Sequence, residues 1–198
     1  MSIYHNKADE FFHQYESVSA EDVHQQWLML LNNTKPGKAL DVGAGSGRDA
    51  RFLAGLGFAV TAVEPADALR EQAQKLSQHL PIQWLSDLLP GLPSIRELRQ
   101  RFDLVLLSAV WMHLSPAERS QALPVLDSLL VPDGLLVLTL RHGSFNDERQ
   151  SYPVSCAEIL RLIQQQQLTL TPILISDLTT DSLGRSDVAW QTVVLKKG

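Results

Sequence analysis

Apolar positions along the chain recur in two rhythms. Residues 39–42, 58–65, 82–89, 102–114 and 135–140 are short apolar-rich runs, and the longest are nearly continuous, as expected of strands covered on both faces. Between them Leu69, Ala73 and Leu76 share one helical face, and so do Ala122, Leu126, Leu129 and Leu130, followed later by Ala157, Leu160 and Ile163. Strand and helix alternate, which predicts βαβ units and a mostly parallel sheet.

The two ends of the chain break this rhythm. Residues 168–175 and 188–195 read as strands with no helix between them, so they are expected to pair antiparallel at one end of the sheet. Pro172 lacks a donor, which predicts that the first of these is the outer strand. Residues 8–31 contain helical stretches with Phe11, Phe12 and Tyr15, then Trp27, Leu28 and Leu31, on apolar faces. The glutamine tract 164–167 reads as a solvated helix end.

The most informative segment is residues 39–54, ALDVGAGSGRDARFLA. Gly43, Gly45 and Gly47 alternate with Ala44 and Ser46, so the backbone can turn sharply and lie against a ligand. A helix is expected from Arg48 to Leu56, its free N–H groups aimed over the glycines, where an anionic ligand group is favoured. A dinucleotide fingerprint fits poorly, because Arg48 stands at its third glycine. A phosphate loop of the G-x-x-x-x-G-K type and a G-x-S-x-G nucleophile elbow do not match either. Asp41 puts negative charge at the entry of the turn, which disfavours a pyrophosphate more than a zwitterionic amino acid end.

The run D-V-G-A-G-S-G resembles the first motif of class I S-adenosylmethionine-dependent methyltransferases, and four later segments follow that family's order over roughly residues 38–141. Glu64 lies 21 residues after Gly43, before Pro65, and a carboxylate there can accept from both ribose hydroxyls. Asp87, with Leu88 beside it, stands where the family holds the adenine ring; the bland reading is a turn residue or helix cap. Ser108 and Ala109 close the fourth strand near the reacting centre, with Val110, Trp111 and His113 behind them. Amino-directed DNA methyltransferases carry an Asp/Asn-Pro-Pro-aromatic tetrad here; Ser108-Ala109-Val110-Trp111 argues against that chemistry. Arg141 and His142 emerge from the fifth strand.

The resemblance implies a single α/β domain with a doubly wound, seven-stranded, mostly parallel sheet in the order 3-2-1-4-5-7-6, the last strand antiparallel and helices on both faces. Residues 1–35 would form a helical lid and 36–198 the core. It implies an enzyme that uses S-adenosylmethionine, releases S-adenosylhomocysteine, and binds through Asp41, Gly43, Ala44, Gly45, Arg48, Glu64, Pro65, Asp87, Leu88, Ser108 and Ala109. His113 and His142 are the candidate bases. Tyr4 and Tyr15 would shield the sulfonium, unless they merely pack.

Composition bounds the rest. The chain has 198 residues, 44% hydrophobic and 20% charged, enough for one globular domain with a substantial core. A net charge of −5 predicts no general attraction to nucleic acid or anionic membrane. Cys156 has no partner for an internal disulfide, the first ten residues lack a signal-peptide core, and the apolar runs are too short to span a bilayer, so a cytoplasmic protein is expected. The six histidines His5, His13, His24, His79, His113 and His142 show no metal spacing, and no metal is expected. The acceptor pocket is expected from the N-terminal region, residues 111–116, and the loop 143–153 with Ser144, Asn146, Asp147, Glu148 and Arg149. A small polar acceptor is the first reading and RNA or protein the second. A NAD-dependent oxidoreductase and a non-catalytic cofactor-binding module stay open, and the sequence is silent on oligomeric state.

Overall fold

The computed structural model describes residues 4, 7–31, 35–145 and 147–198; His5 and Asn146 lie outside them. Among the described residues eight strands form one sheet: β1 (Lys38–Val42), β2 (Ala59–Val63), β3 (Ile82–Leu85), β4 (Phe102–Ser108), β5 (Leu130–His142), β6 (Leu170–Ile175), β7 (Thr179–Thr180) and β8 (Ala189–Lys197). Their order is β3-β2-β1-β4-β5-β8-β6, with the two-residue β7 beside β8. The first five strands are mutually parallel, and β8 runs antiparallel between β5 and β6. The expected order holds, with the final strand renumbered because β7 precedes it. Pro172 does sit in the outermost strand, where the register shifts between Pro172 and Leu174.

The helices are α1 (Ala8–Glu16), α2 (Ala20–Leu28), α3 (Arg48–Gly55), α4 (Asp67–Ser77), α5 (Pro93–Glu97), α6 (Pro116–Leu129) and α7 (Cys156–Gln165). Local chemistry sets their starts. Ser115 and Glu118 form a reciprocal capping box ahead of Pro116, and Ser19 and Ser155 accept from backbone N–H groups at the starts of α2 and α7.

Alternating side chains divide the core between the two faces of the sheet. Val105, Leu107, Leu136 and Leu138 pack with Ala122, Leu126 and Leu129 of α6 and Ile159 of α7. Leu104, Leu106, Leu135 and Val137 pack with Ala50 and Leu53 of α3 and Trp27 of α2. Burying each such aliphatic side chain contributes about 1.5–3 kcal/mol. Trp111 is wholly buried in the first cluster, so its role is packing.

Several helix faces differ from expectation. Leu76 is 45% exposed while Ser77 turns inward and donates its hydroxyl to the Ala73 carbonyl. α7 buries Ile159, Leu162 and Ile163 and leaves Ala157 outside. Leu130 starts β5 instead of ending α6. Among the described residues no helix is long and apolar enough to cross a membrane.

Candidate functional site

At the carboxyl end of β1 the N–H groups of Gly43 and Ala44 both donate to the Val63 carbonyl at 2.8 Å, which folds the turn across the end of β2. Gly43 and Gly47 sit at φ of 74° and 77°, in the left-handed region. A Cβ on Gly43 would lie 2.6 Å from a Val110 methyl, and one on Gly47 2.8 Å from the Trp84 ring, so neither tolerates a side chain.

Two acidic side chains hold the next strand ends. The Glu64 carboxylate accepts from Gly45 N at 2.9 Å and Ala66 N at 2.8 Å. Burial raises its pKa above the usual glutamate value. Asp87 accepts from Leu88 N at 2.9 Å and from Ile95 N, in the first turn of α5, at 3.0 Å. Each carboxylate oxygen carries a further lone pair, so structural bonding leaves capacity for a ligand. Ala109 adopts φ 58° after β4 and donates its N–H to Thr139 Oγ1 at 2.8 Å, a strained backbone beside the strand ends.

These groups line one cavity of about 880 Å³, near the top of the roughly 300–1,000 Å³ range of small-molecule sites. Gly43, Ala44, Gly45, Arg48, Glu64, Pro65, Asp87, Leu88, Ser108, Ala109 and His113 all border it. Two expected residues do not: Asp41 and His142. Side chains alternate along a strand, so the neighbours Val42 and Arg141 face the cavity instead. Asp41 is 1% exposed, and burial with Asp49 nearby pushes its pKa well above the usual range. Burial therefore disfavours the charge expected of it at the mouth of the turn. Among the described residues the buried Nε2 of His142 has no partner.

The N-terminal helices are tied to the glycine turn. Arg48 forms a two-pronged pair with Asp49 at 2.7 and 3.0 Å and donates to the Tyr15 carbonyl at 3.2 Å. Arg51 pairs with Glu16 at 2.6 Å. The Trp27 indole donates to His24 Nδ1 at 3.1 Å, which leaves the other ring nitrogen facing Asp49 at 3.2 Å. Although burial opposes ionisation of Asp49, His24 and Arg48 hold it charged. Tyr4 and Tyr15 border the cavity, and burial pushes the Tyr4 phenol up to about 12.

At the far end, His113 Nδ1 lies 2.9 Å from the Gln150 carbonyl and Nε2 lies 3.0 Å from the Tyr4 hydroxyl. A carbonyl only accepts, so Nδ1 carries the proton. Burial lowers the His113 pKa, so the ring is neutral and Nε2 is the acceptor for Tyr4. The Phe145 ring stacks beside His113, and the guanidinium carbons of Arg149 and Arg141 lie 4.0 and 4.1 Å from its centroid. Thr179, Asp181, Arg185 and Trp190 complete this end. Asp181 accepts from Arg185 at 2.7 Å and from the Trp190 indole at 2.8 Å. None of these four, nor Phe145, stands out in the sequence, because no spacing or motif joins them.

The fold is shared with a Clostridium acetobutylicum S-adenosylmethionine-dependent methyltransferase, at TM-score 0.75 and 12% identity, covering 99% of each chain. It is also shared with Burkholderia thailandensis 1,6-didemethyltoxoflavin-N1-methyltransferase, solved with 1,6-didemethyltoxoflavin and S-adenosylhomocysteine. There the TM-score is 0.72 at 19% identity, covering 99% of this chain and 88% of that one. An uncharacterized methyltransferase of Alkaliphilus oremlandii is 28% identical over 133 residues, 67% of this chain and 56% of its own length. The chain spans under three-fifths of the curated relatives it matches, 56% and 58% of their lengths. A family model described as tellurite resistance protein TehB matches residues 3–139, well over half of the chain, which therefore belongs to the TehB family.

Proposed function

We propose that the protein transfers the methyl group of S-adenosylmethionine to a small polar acceptor. The observation that carries this reading is the pairing of a side-chain-free glycine cradle with Glu64, whose carboxylate is fixed to Gly45 and still faces the same cavity. That arrangement suits an adenosyl ligand, with the ribose hydroxyls on Glu64, the adenine beside Asp87 and Leu88, and the amino acid end over Gly43, Ala44 and Gly45. Arg48, Pro65, Ser108 and Ala109 complete the cradle. The bound cofactor supplies an activated methyl on a sulfonium.

The protein's own part is alignment and exclusion of water. Residues of the N-terminal helices line the cavity, with Tyr15 stacked on Phe11 and set against Gly45, where an aromatic ring would favour a nearby cation. His113 is neutral with Nε2 accepting from the Tyr4 hydroxyl, so a proton lost from the acceptor passes to it through that hydroxyl, which takes one proton as it gives up the other, or directly once Tyr4 moves aside. His142, away from the cavity, takes no part in this scheme. The toxoflavin-forming neighbour acts on a small molecule, and the cavity volume suits a cofactor with a compact acceptor beside it.

Isothermal titration tests the reading. Micromolar or tighter S-adenosylhomocysteine with no measurable NAD affinity is expected; NAD binding without S-adenosylhomocysteine binding would overturn it. Release of label from methyl-labelled cofactor to a metabolite panel then separates turnover from binding alone.

A further inference from the structure

Four arginines line the cavity: Arg48, Arg141, Arg149 and Arg185. Three are matched by carboxylates, Arg48 by Asp49 at 2.7 Å, Arg149 by Asp147 at 2.8 Å and Arg185 by Asp181 at 2.7 Å. Arg141 enters no ion pair among the described residues, although it is only 6% exposed. Its two terminal nitrogens donate to the Gly143 carbonyl at 2.7 Å and the Ser144 carbonyl at 3.0 Å. Its Nε is buried with no partner.

Carbonyl dipoles do not neutralise a buried cation, and an uncompensated one is costly. Arg149 and Arg185 act on Arg141 with the same sign of charge, opposed by Asp181 and Asp187, and Asp181 is itself bound to Arg185. The other acids bordering the cavity are committed or distant in role. Glu64 and Asp87 hold backbone N–H groups, Asp49 holds Arg48, Asp22 accepts from Ser19, Glu118 is bound to Ser115, and Glu148 is exposed and joins no ion pair with Arg141. Val110, Leu114, Phe145 and Trp190 surround this end with apolar surface.

We infer that the methyl acceptor is an organic carboxylate, its anion taken by the Arg141 guanidinium and its apolar body laid against the cavity lining of Leu114 and Trp190. A planar fork of N–H donors matches a planar carboxylate in two-pronged fashion. The Phe145 ring is already engaged by Arg141, Arg149 and His113, and it is the further apolar lining of Leu114 and Trp190 that favours an organic molecule over a bare inorganic oxyanion. This inference rests on the methyl-transfer reading for the role of the ligand, but not for its charge.

The full chain saturated with S-adenosylhomocysteine is titrated calorimetrically with benzoate, benzamide, sulfate and tellurite. Benzoate is expected to bind at least tenfold more tightly than the isosteric benzamide and than either inorganic anion. Arg141→Met is expected to erase that preference and Arg141→Lys to retain part of it, with S-adenosylhomocysteine affinity within twofold of the parent in both. Equal binding of benzoate and benzamide, sulfate or tellurite matching benzoate, or a preference that survives Arg141→Met would each overturn the assignment. The comparison of the four probes on the unaltered protein needs no variant to fold. If S-adenosylhomocysteine itself fails to bind, the methyl-transfer reading falls, and the benzoate preference measured without it still judges Arg141.

Discussion

The two ends of the cavity are held by different parts of the chain. At the glycine end, β1, β2 and β3 finish side by side, and Glu64 and Asp87 are bonded to backbone N–H groups within two and eight residues of themselves or to the neighbouring turn. At the arginine end, contacts join residues far apart in sequence: Tyr4 with His113, Arg149 with Phe11, Arg141 with Phe145. The first is a rigid cradle on strand ends, and the second is an assembly of loops and the N-terminal segment. A fixed ligand common to many enzymes suits the former; an acceptor that differs between relatives suits the latter.

Variants at the two ends are expected to separate affinity from turnover. Glu64→Ala carries the largest expected effect. It leaves the Gly45 and Ala66 N–H groups unmatched and removes the ribose acceptor, so S-adenosylhomocysteine affinity should fall on the order of 300-fold by titration calorimetry, from about 1–3 kcal/mol per lost partner. A loss under tenfold would break the comparison at its stronger end.

His113→Ala is next. Turnover should drop about 100-fold with S-adenosylhomocysteine affinity unchanged within twofold, since general-base contributions are typically about 10²–10⁴. The same residue gives a pH signature. Because burial lowers its pKa below the usual value near 6.5, the neutral ring persists above that value, and kcat/KM should stay flat there and decline as pH falls further. Stability follows the same sign: below pH 6.5 the unfolded chain binds the proton more readily than the folded one, so this contribution is lost on acidification. A profile that climbs through pH 8 would point to another group.

Gly143→Ala should raise the acceptor KM about tenfold and lower the melting temperature. Its Cβ would meet the Asp187 carbonyl at 2.2 Å, and its φ of 100° is strained for alanine by about 1–3 kcal/mol. Cofactor affinity should not move. Tyr15→Ala gives the smallest effect, a few-fold weaker S-adenosylmethionine with a lesser change for S-adenosylhomocysteine, which lacks the sulfonium charge, because a cation over an aromatic face is worth about 0.5–2 kcal/mol. Equal losses for both ligands would reduce Tyr15 to a packing residue.

The same contrast explains what was legible beforehand. The cradle uses consecutive residues, so its glycines and the spacing to Glu64 are written along the chain, and Pro172 by itself places the outer strand. Asp41 and His142 were misplaced for one shared reason: adjacency in sequence to a functional residue, within a strand, puts a side chain on the opposite face. α5 and β7 are too short for any periodicity to register. Leu76 shows that a helical face can be read one position off when a small polar residue, here Ser77, turns inward, whereas Ala157 is left outside because Ile159 and Leu162 take the buried face of α7. Phe145, Asp181 and Arg185 meet only through the folded topology, which no local pattern encodes.

The Tyr4 hydroxyl sits on the lone pair that His113 would need. Any change that lifts the Tyr4 hydroxyl off His113 Nε2 is therefore expected to alter rates while the sheet and its helices stay as they are.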